Sequence, residues 1–244
     1  MNKICKLSAI ALLASSTSLM AQSKSFEGVS LGVSLSAIGV EVAAGSSTNN
    51  NTAGTNNGSS ADGSLGKVAE IAAVDLSYGF AIGPNGIIQV GASYTPGKAK
   101  AGSGTFSEAS GSTSGPGAET AQTGKLTLEV KDPYTIYIAP TYVVSKDSAI
   151  YAKLGYSKAD VNSTSTGTAA LSNKPGDLEG YTYAVGSKTM LTPNLYLGVE
   201  ASVTDYDTVS ATVASAGANV SDGGRKINAD VKTAQGIITL GYKF

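Results

Sequence analysis

Few residues of this chain could do chemistry. The sequence contains no His, and its single Cys is Cys5, so the usual general base and the thiolate nucleophile are both missing from residues 22–244. Asp75, Glu200 and the Ser side chains form no recognisable catalytic triad. Asp205, Asp207 and Asp222 could bind a hard cation weakly, but solvated loop acids are the better interpretation. The sequence therefore predicts no enzyme, no metal site and no cofactor.

Four charged residues remain as candidates for a functional site: Asp75, Lys153, Lys188 and Glu200. Each falls on the polar face of an alternating segment, among Gly, Ser, Ala and Thr. An unpaired charge in a crowded interior is costly, so we expect one layer in which Glu200 pairs with Lys153 or Lys188. Structural pairing is the preferred interpretation. The alternative is a gate that opens a narrow ion path when the pair exchanges partners.

The segments that carry these residues alternate apolar and polar side chains with a period of two, which is typical of strands with one apolar face. Eight such segments occur. In the first, the apolar positions change from odd to even numbers after Leu35, which predicts a β-bulge near Ala37. In the segment at 125–144 the alternation continues past Pro133 and Pro140, and it predicts one strand without a break in phase.

The connections between the strands alternate in length. Polar segments without periodicity, at about 45–66, 96–124, 162–179 and 205–224, predict four long loops, and three short turns lie between them. This order places all short turns at one rim and all long loops at the other. An even number of antiparallel strands can then close without a free edge, so the chain is predicted to be all-β, an eight-stranded antiparallel up-and-down barrel.

The composition decides which face points outward. Only 14% of the residues are charged, well below the roughly 25% of a typical globular domain. Tyr suits a lipid–water interface, and eight Tyr residues fall on the apolar face: Tyr78, Tyr94, Tyr134, Tyr142, Tyr156, Tyr181, Tyr183 and Tyr242. We therefore expect a transmembrane barrel in the outer membrane, with short periplasmic turns and long extracellular loops. The alternative is a periplasmic ligand-binding barrel with its apolar face inside.

The two ends of the chain carry a predicted export signal and a predicted assembly signal. Residues 1–21 have Lys3 and Lys6, then an apolar run and small residues, which predicts a signal peptide before a barrel domain at 22–244. The remaining chain has a net charge of −3, which gives no support to nucleic-acid binding. The last strand, "GIITLGYKF", places Tyr242 and Phe244 on the outward face, as expected of an assembly signal read by the barrel-insertion machinery.

Two hairpins carry a family resemblance. The stretch "GYTYAVGSKTMLTPNLYLGVEASVTDYD" at 180–207 and the stretch "PTYVVSKDSAIYAKLGYSKADV" at 140–161 resemble hairpins of the OmpA/OmpX/opacity-protein-like outer-membrane β-barrels, and the terminal "GYKF" agrees with them. The resemblance implies a barrel in contact with outer-membrane lipid and the assembly machinery. We expect a monomer with no further domain after the barrel.

For function, the first hypothesis is a structural or surface-interaction barrel without catalytic activity, whose loops meet surface ligands or host factors. The second hypothesis is a narrow porin-like channel for ions or small solutes. The periplasmic ligand-binding barrel is the third.

Overall fold

The computed structural model describes residues 22–44, 67–108, 122–167, 171–173, 176–213 and 225–244. These residues form a short 3₁₀ helix, Gln22–Phe26, and eleven strands. The strands are β1 (Gly28–Ala44), β2 (Lys67–Ala81), β3 (Gly86–Tyr94), β4 (Lys98–Glu108), β5 (Gln122–Ser145), β6 (Ser148–Gly167), β7 (Leu171–Asn173), β8 (Leu178–Met190), β9 (Leu195–Tyr206), β10 (Val209–Val213) and β11 (Arg225–Lys243). No helix among these residues is long and apolar enough to cross a membrane.

Eight of the strands form a closed antiparallel barrel in the order β1-β2-β3-β5-β6-β8-β9-β11. Strand β11 closes it against β1, in a ladder that runs from Ser30 opposite Lys243 to Ala44 opposite Ala229. Closure pairs the edges that an open sheet would expose. The prediction of an eight-stranded up-and-down barrel is confirmed.

The outward face of the barrel is apolar. Val33, Leu35, Leu76 and Val185 are between 55% and 68% exposed, which fits a wall whose solvent is lipid rather than water. The eight predicted Tyr residues all point outward, near the two ends of the apolar belt. Cross-strand neighbours such as Tyr94 and Tyr134 form part of the extracellular girdle, and Tyr242 and Phe244 belong to the periplasmic one.

The predicted bulge near Ala37 is wrong. The pairing of β1 with both neighbours continues through Ala37 without a shift, so Ile38 and Val40 point into the barrel, where they are 8% and 4% exposed. The interior is apolar at this height, and the strand keeps its alternation of inward and outward residues.

The bulge lies instead in β5, where the sequence predicted an unbroken phase. Lys131 pairs with Asp160 of β6 and Tyr134 pairs with Lys158, so β5 uses one extra residue there. Asp132 takes a φ of +48°, and its carboxylate accepts a hydrogen bond from the Gly97 amide at 2.9 Å. Because of the extra residue, Val130 packs against the interior rather than lipid.

Three of the predicted long loops contain strands, which corrects the loop boundaries. Strand β4 and the first half of β5 pair within 98–131, β6 continues to Gly167, and β7 and β10 occupy parts of the other two segments. The sheet thus continues above the extracellular Tyr girdle as two extensions. One contains β4, β5 and β6, and the other contains β1, β11, β10 and β7. The fourth predicted loop, at 45–66, lies outside the described residues.

Candidate functional site: the barrel interior

An ion pair lies at mid-height inside the barrel. Lys153 Nζ is 2.6 Å from Glu200 Oε2, and the two side chains are 13% and 7% exposed. The Tyr151 hydroxyl donates to the same carboxylate oxygen at 2.7 Å. Tyr151 and Lys153 share the inward face of β6 because they are two positions apart. Glu200 lies on the inward face of β9. Burial makes such a pair costly to break from one side.

The other two predicted charges have neutral partners. Lys188 is 8% exposed and donates to Gln89 Oε1 at 2.9 Å. Asp75 accepts a hydrogen bond from the Tyr137 hydroxyl at 2.8 Å. Among the described residues no ion pair joins Lys188 or Asp75 to an opposite charge. The structure therefore brings Glu200 to Lys153 and leaves Lys188 apart from both carboxylates.

Aromatic rings separate the two lysines. The Lys153 ammonium lies 4.3 Å from the centre of the Tyr137 ring and 5.9 Å from that of Tyr151. The Lys188 ammonium lies 5.5 Å from the Tyr151 ring and 5.2 Å from the Tyr196 ring. These distances allow cation–π attraction. The order Tyr196, Lys188, Tyr151, Lys153, Tyr137, here called the Tyr–Lys stack, crosses the lumen.

Each ring of the Tyr–Lys stack lies over a glycine directly opposite it on a neighbouring strand. The pairs are Tyr137 with Gly91, Tyr151 with Gly186, and Tyr196 with Gly241. A Cβ on these glycines would come within 2.6 Å, 2.5 Å and 2.1 Å of ring atoms, closer than real side chains approach. The missing side chains create the space in which the rings lie, and the rings cover otherwise bare backbone.

A belt of hydroxyl groups lies on the inner wall beyond the stack. Thr135 and Ser157 are 2.6 Å apart, and Thr182 and Thr204 are 2.7 Å apart. Ser157 also contacts Thr182, so the chain of hydrogen bonds spans β5, β6, β8 and β9. An interior cavity of about 110 Å³ touches the belt and the stack. Its wall combines apolar side chains with the polar groups of the belt and the stack, and its volume is large enough for a few water molecules.

Two apolar layers lie above and below the polar centre of the interior. The upper apolar layer, at the extracellular end, contains Ile38, Val40, Ala159, Leu178, Tyr206 and Val231. The lower apolar layer, at the periplasmic end, contains Phe26, Ile87, Val143, Ala149, Met190 and Tyr196. Buried apolar side chains offer no ligands to an ion. The polar centre thus lies between two layers of side chains that offer an ion no ligands.

The remaining predicted residues lie outside the lumen. Tyr242 and Phe244 have their ring centres 5.0 Å apart and are 47% and 68% exposed on the outer face. Asp205 faces Lys232 at 3.5 Å, and Asp222 is outside the described residues. No group of three or more potential metal ligands occurs in the described parts of the chain.

Sequence reasoning missed the aromatic part of the interior. Tyr137, Tyr151 and Tyr196 alternate in phase with the small polar residues rather than with the apolar ones, and this was the available signal. Their glycine partners could not be found in the same way, because a cross-strand pair depends on the register between strands. Nothing in the sequence pointed to Gln89 as the hydrogen-bond partner of Lys188 either.

The closed wall, the apolar outer belt and the filled interior define an outer-membrane β-barrel. The chain belongs to the outer membrane protein beta-barrel domain family, whose model matches residues 9–244, and it is a protein of the cell outer membrane. No curated protein matches the sequence significantly.

Solved structures resemble the fold at low sequence identity. The outer membrane protein OprG from Pseudomonas aeruginosa is 12% identical, with a TM-score of 0.52 over 89% of this chain and 96% of that one. Ail, the attachment invasion locus protein of Yersinia pestis, solved with the heparin analogue sucrose octasulfate, is 14% identical, with a TM-score of 0.41 over 89% and 99%. The likeness to OprG supports the fold alone.

Proposed function

We propose that this protein is a non-catalytic membrane anchor with a structural or surface-interaction role. The observation that carries the proposal is the filled lumen. The Tyr–Lys stack and the two apolar layers occupy the interior, as an eight-stranded barrel is just wide enough for its own side chains to fill. A barrel that is filled in this way has little room for transport, so its outer surfaces are the parts available for function.

The extracellular extensions supply those surfaces. Strands β4 and β5 pair from Lys98 opposite Lys131 to Glu108 opposite Gln122, above the girdle residue Tyr134. They hold polar chain away from the membrane on a sheet continuous with the barrel wall. Binding residues are commonly carried on loops and extensions that a rigid scaffold positions. The proposed contacts are with surface ligands or host factors.

The test is a truncation that spares the barrel. A variant that replaces residues 100–129 by a two-residue Asn-Gly turn joins Ala99 to Val130, which already lie opposite each other, and keeps Val130 in the interior. Cells that display the wild-type protein should bind immobilised matrix proteins, serum proteins or polysaccharides more than cells without it. The truncated barrel should remain heat-modifiable on gels and lose that binding. Equal binding by all three strains would contradict the surface role.

A narrow channel is the second candidate. The cavity of about 110 Å³ with four charged groups on its wall favours it. In that case the stack would have to move, and Glu200 would have to exchange Lys153 for Lys188. Discrete conductance by the wild-type protein would support this candidate over the anchor.

For assembly, we propose that the barrel-insertion machinery reads Tyr242 and Phe244 and that the protein then resides in lipid as a monomer. Phe244 sits on the outer face and donates its backbone amide to Val29 at 2.9 Å. Phe244→Ser should lower the amount of heat-modifiable barrel in the outer membrane. The control is Phe80→Ser, on the same face of β2. Equal losses in both variants would count against a specific signal.

A further inference from the structure

The first described residues of the chain fill the periplasmic mouth of the barrel. The 3₁₀ helix Gln22–Phe26 turns inward below β1, and the Phe26 side chain is 4% exposed within the lower apolar layer. Its neighbours there include Ile87, Val143 and Met190, which come from three different strands of the wall. Phe26 therefore acts as a stopper for the lower end of the lumen.

Within the described part of the chain, two polar contacts join this segment to the barrel. The Ser23 amide donates to the Pro84 carbonyl at 3.1 Å, and the Lys243 ammonium donates to the Lys24 carbonyl at 2.9 Å. Neither contact belongs to the ladders that close the barrel, which on β1 begin at Gly28 and Ser30. Breaking these contacts leaves every strand pair intact.

The connection to the wall is suited to a hinge. Gly28 has a φ of +100°, a conformation that residues with a side chain rarely adopt. Opposite it on β2, a Cβ on Gly79 would lie 2.6 Å from the Phe26 carbonyl oxygen. Only glycine at position 79 leaves room for the segment in its closed position.

We propose that residues 22–26 are a displaceable plug that pivots at Gly28 and opens the periplasmic mouth without unfolding the barrel. When it is displaced, the lower lumen becomes accessible to periplasmic water and small solutes up to the Tyr–Lys stack. The stack stays closed, so the open plug creates a dead-ended vestibule rather than a pore. Local opening of a weakly held segment beside a stable core is a common form of native-state motion.

Cysteine accessibility tests this proposal, because residues 22–244 contain no Cys. Val143→Cys places a thiol of similar size in the lower apolar layer, where Val143 is fully buried. Thr204→Cys places one in the hydroxyl belt beyond the stack. Each is reacted in the folded, detergent-solubilised barrel with a membrane-impermeant thiosulfonate. The expected result is that Cys at 143 reacts at least tenfold faster than Cys at 204.

Added to the Val143→Cys protein, Phe26→Ala or Gly79→Ala should raise the labelling rate at least tenfold further. The same changes should leave the labelling of Thr204→Cys and the bilayer conductance unchanged. Gly236→Ala is the matched control, since a Cβ there meets nothing within 4 Å. The proposal is overturned if the two thiols react equally fast in the otherwise unchanged barrel, or if neither plug variant accelerates the reaction at 143. It is also overturned if the plug variants expose both thiols together, since that would mean global unfolding.

Discussion

At the scale of single residues, the barrel interior is organised by Tyr and Lys side chains that shield one another from water. Three rings lie over glycines of neighbouring strands, and two ammonium groups lie between the rings. Only one of these cations, that of Lys153, has a carboxylate partner. Cation–π contacts become stronger when the cation is desolvated, so the Tyr151 and Tyr196 rings offset part of the cost of burying the Lys188 ammonium.

Removing one partner of the ion pair should cost more stability than replacing both partners. Glu200→Ala leaves Lys153 and the Tyr151 hydroxyl without their acceptor, and we expect a loss of about 3 kcal/mol in the free energy of unfolding. Cavity water keeps the loss near this lower end of the range for buried pairs. Lys153→Met combined with Glu200→Leu should recover much of the loss. Urea unfolding in lipid vesicles measures Glu200→Ala, the double variant and the single variants Lys153→Met and Glu200→Leu.

A surface pair provides the control for this cycle. Lys146 and Asp147 are 3.9 Å apart on an exposed turn, and Lys146→Met should change stability by less than about 1 kcal/mol. Additive effects of the substitutions at 153 and 200 would show that the two side chains are not coupled.

The glycines under the rings make a second prediction. In Gly186→Ala the new methyl group would lie 2.5 Å from the Tyr151 ring, and overpacking of this kind typically costs about 1–3 kcal/mol. Gly236→Ala, on the open outer face, should cost little. Adding Tyr151→Ala should lower the cost of Gly186→Ala, as judged from unfolding in the same vesicles, and the remaining cost comes from the Val199 carbonyl oxygen, 2.7 Å from the new methyl group. If Gly186→Ala and Gly236→Ala cost the same, the ring does not occupy that space.

At the scale of elements, the two errors about strand phase have one cause. The sequence shows where the alternation of apolar and polar residues shifts. It does not show whether the strand gains a residue there or whether the barrel interior becomes apolar. In β1 the surroundings change, since Ile38 and Val40 enter the upper apolar layer. In β5 the strand gains a residue at Asp132, just before Pro133. The sequence hides this bulge because apolar residues continue at every second position on both sides of it.

The bulge in β5 gives a pH-dependent prediction. The Gly97 amide, with help from Lys131, holds the pKa of the Asp132 carboxyl below its usual value. A lowered folded-state pKa stabilises the protein above the unfolded pKa of about 4, and this stabilisation is lost as the pH falls through the folded value. Asp132→Asn keeps the turn but cannot titrate. The stability advantage of wild type over Asp132→Asn should therefore be constant near neutral pH and shrink below about pH 4.

Unfolding curves of the two proteins over this pH range check the prediction. A difference that stays the same down to pH 2 would mean that the bond from Gly97 does not depend on the charge of Asp132.

At the scale of the whole molecule, the barrel was predictable and its interior arrangement was not. Strand number, closure and the outward face follow from alternation and from the order of short and long connections, and each strand contributes to that signal independently. The partners inside the lumen depend on register across several strands. Glu200 had two candidate lysines in the sequence, and the register of β6, β8 and β9 brings Lys153 to it. The extracellular strands escaped prediction because their Ser, Thr and Gly residues show no apolar face.

The central claim is that side chains seal the lumen, and single-channel recording in planar bilayers tests it most directly. The refolded wild-type protein should show no discrete conductance steps. Tyr151→Ala removes the ring between Lys188 and Lys153 and, combined with Phe26→Ala at the periplasmic end and Val40→Ala at the extracellular end, should produce steps that wild type lacks. Regular conductance steps from the wild-type monomer, or none from the triple variant although it is folded in the membrane, would contradict the sealed barrel.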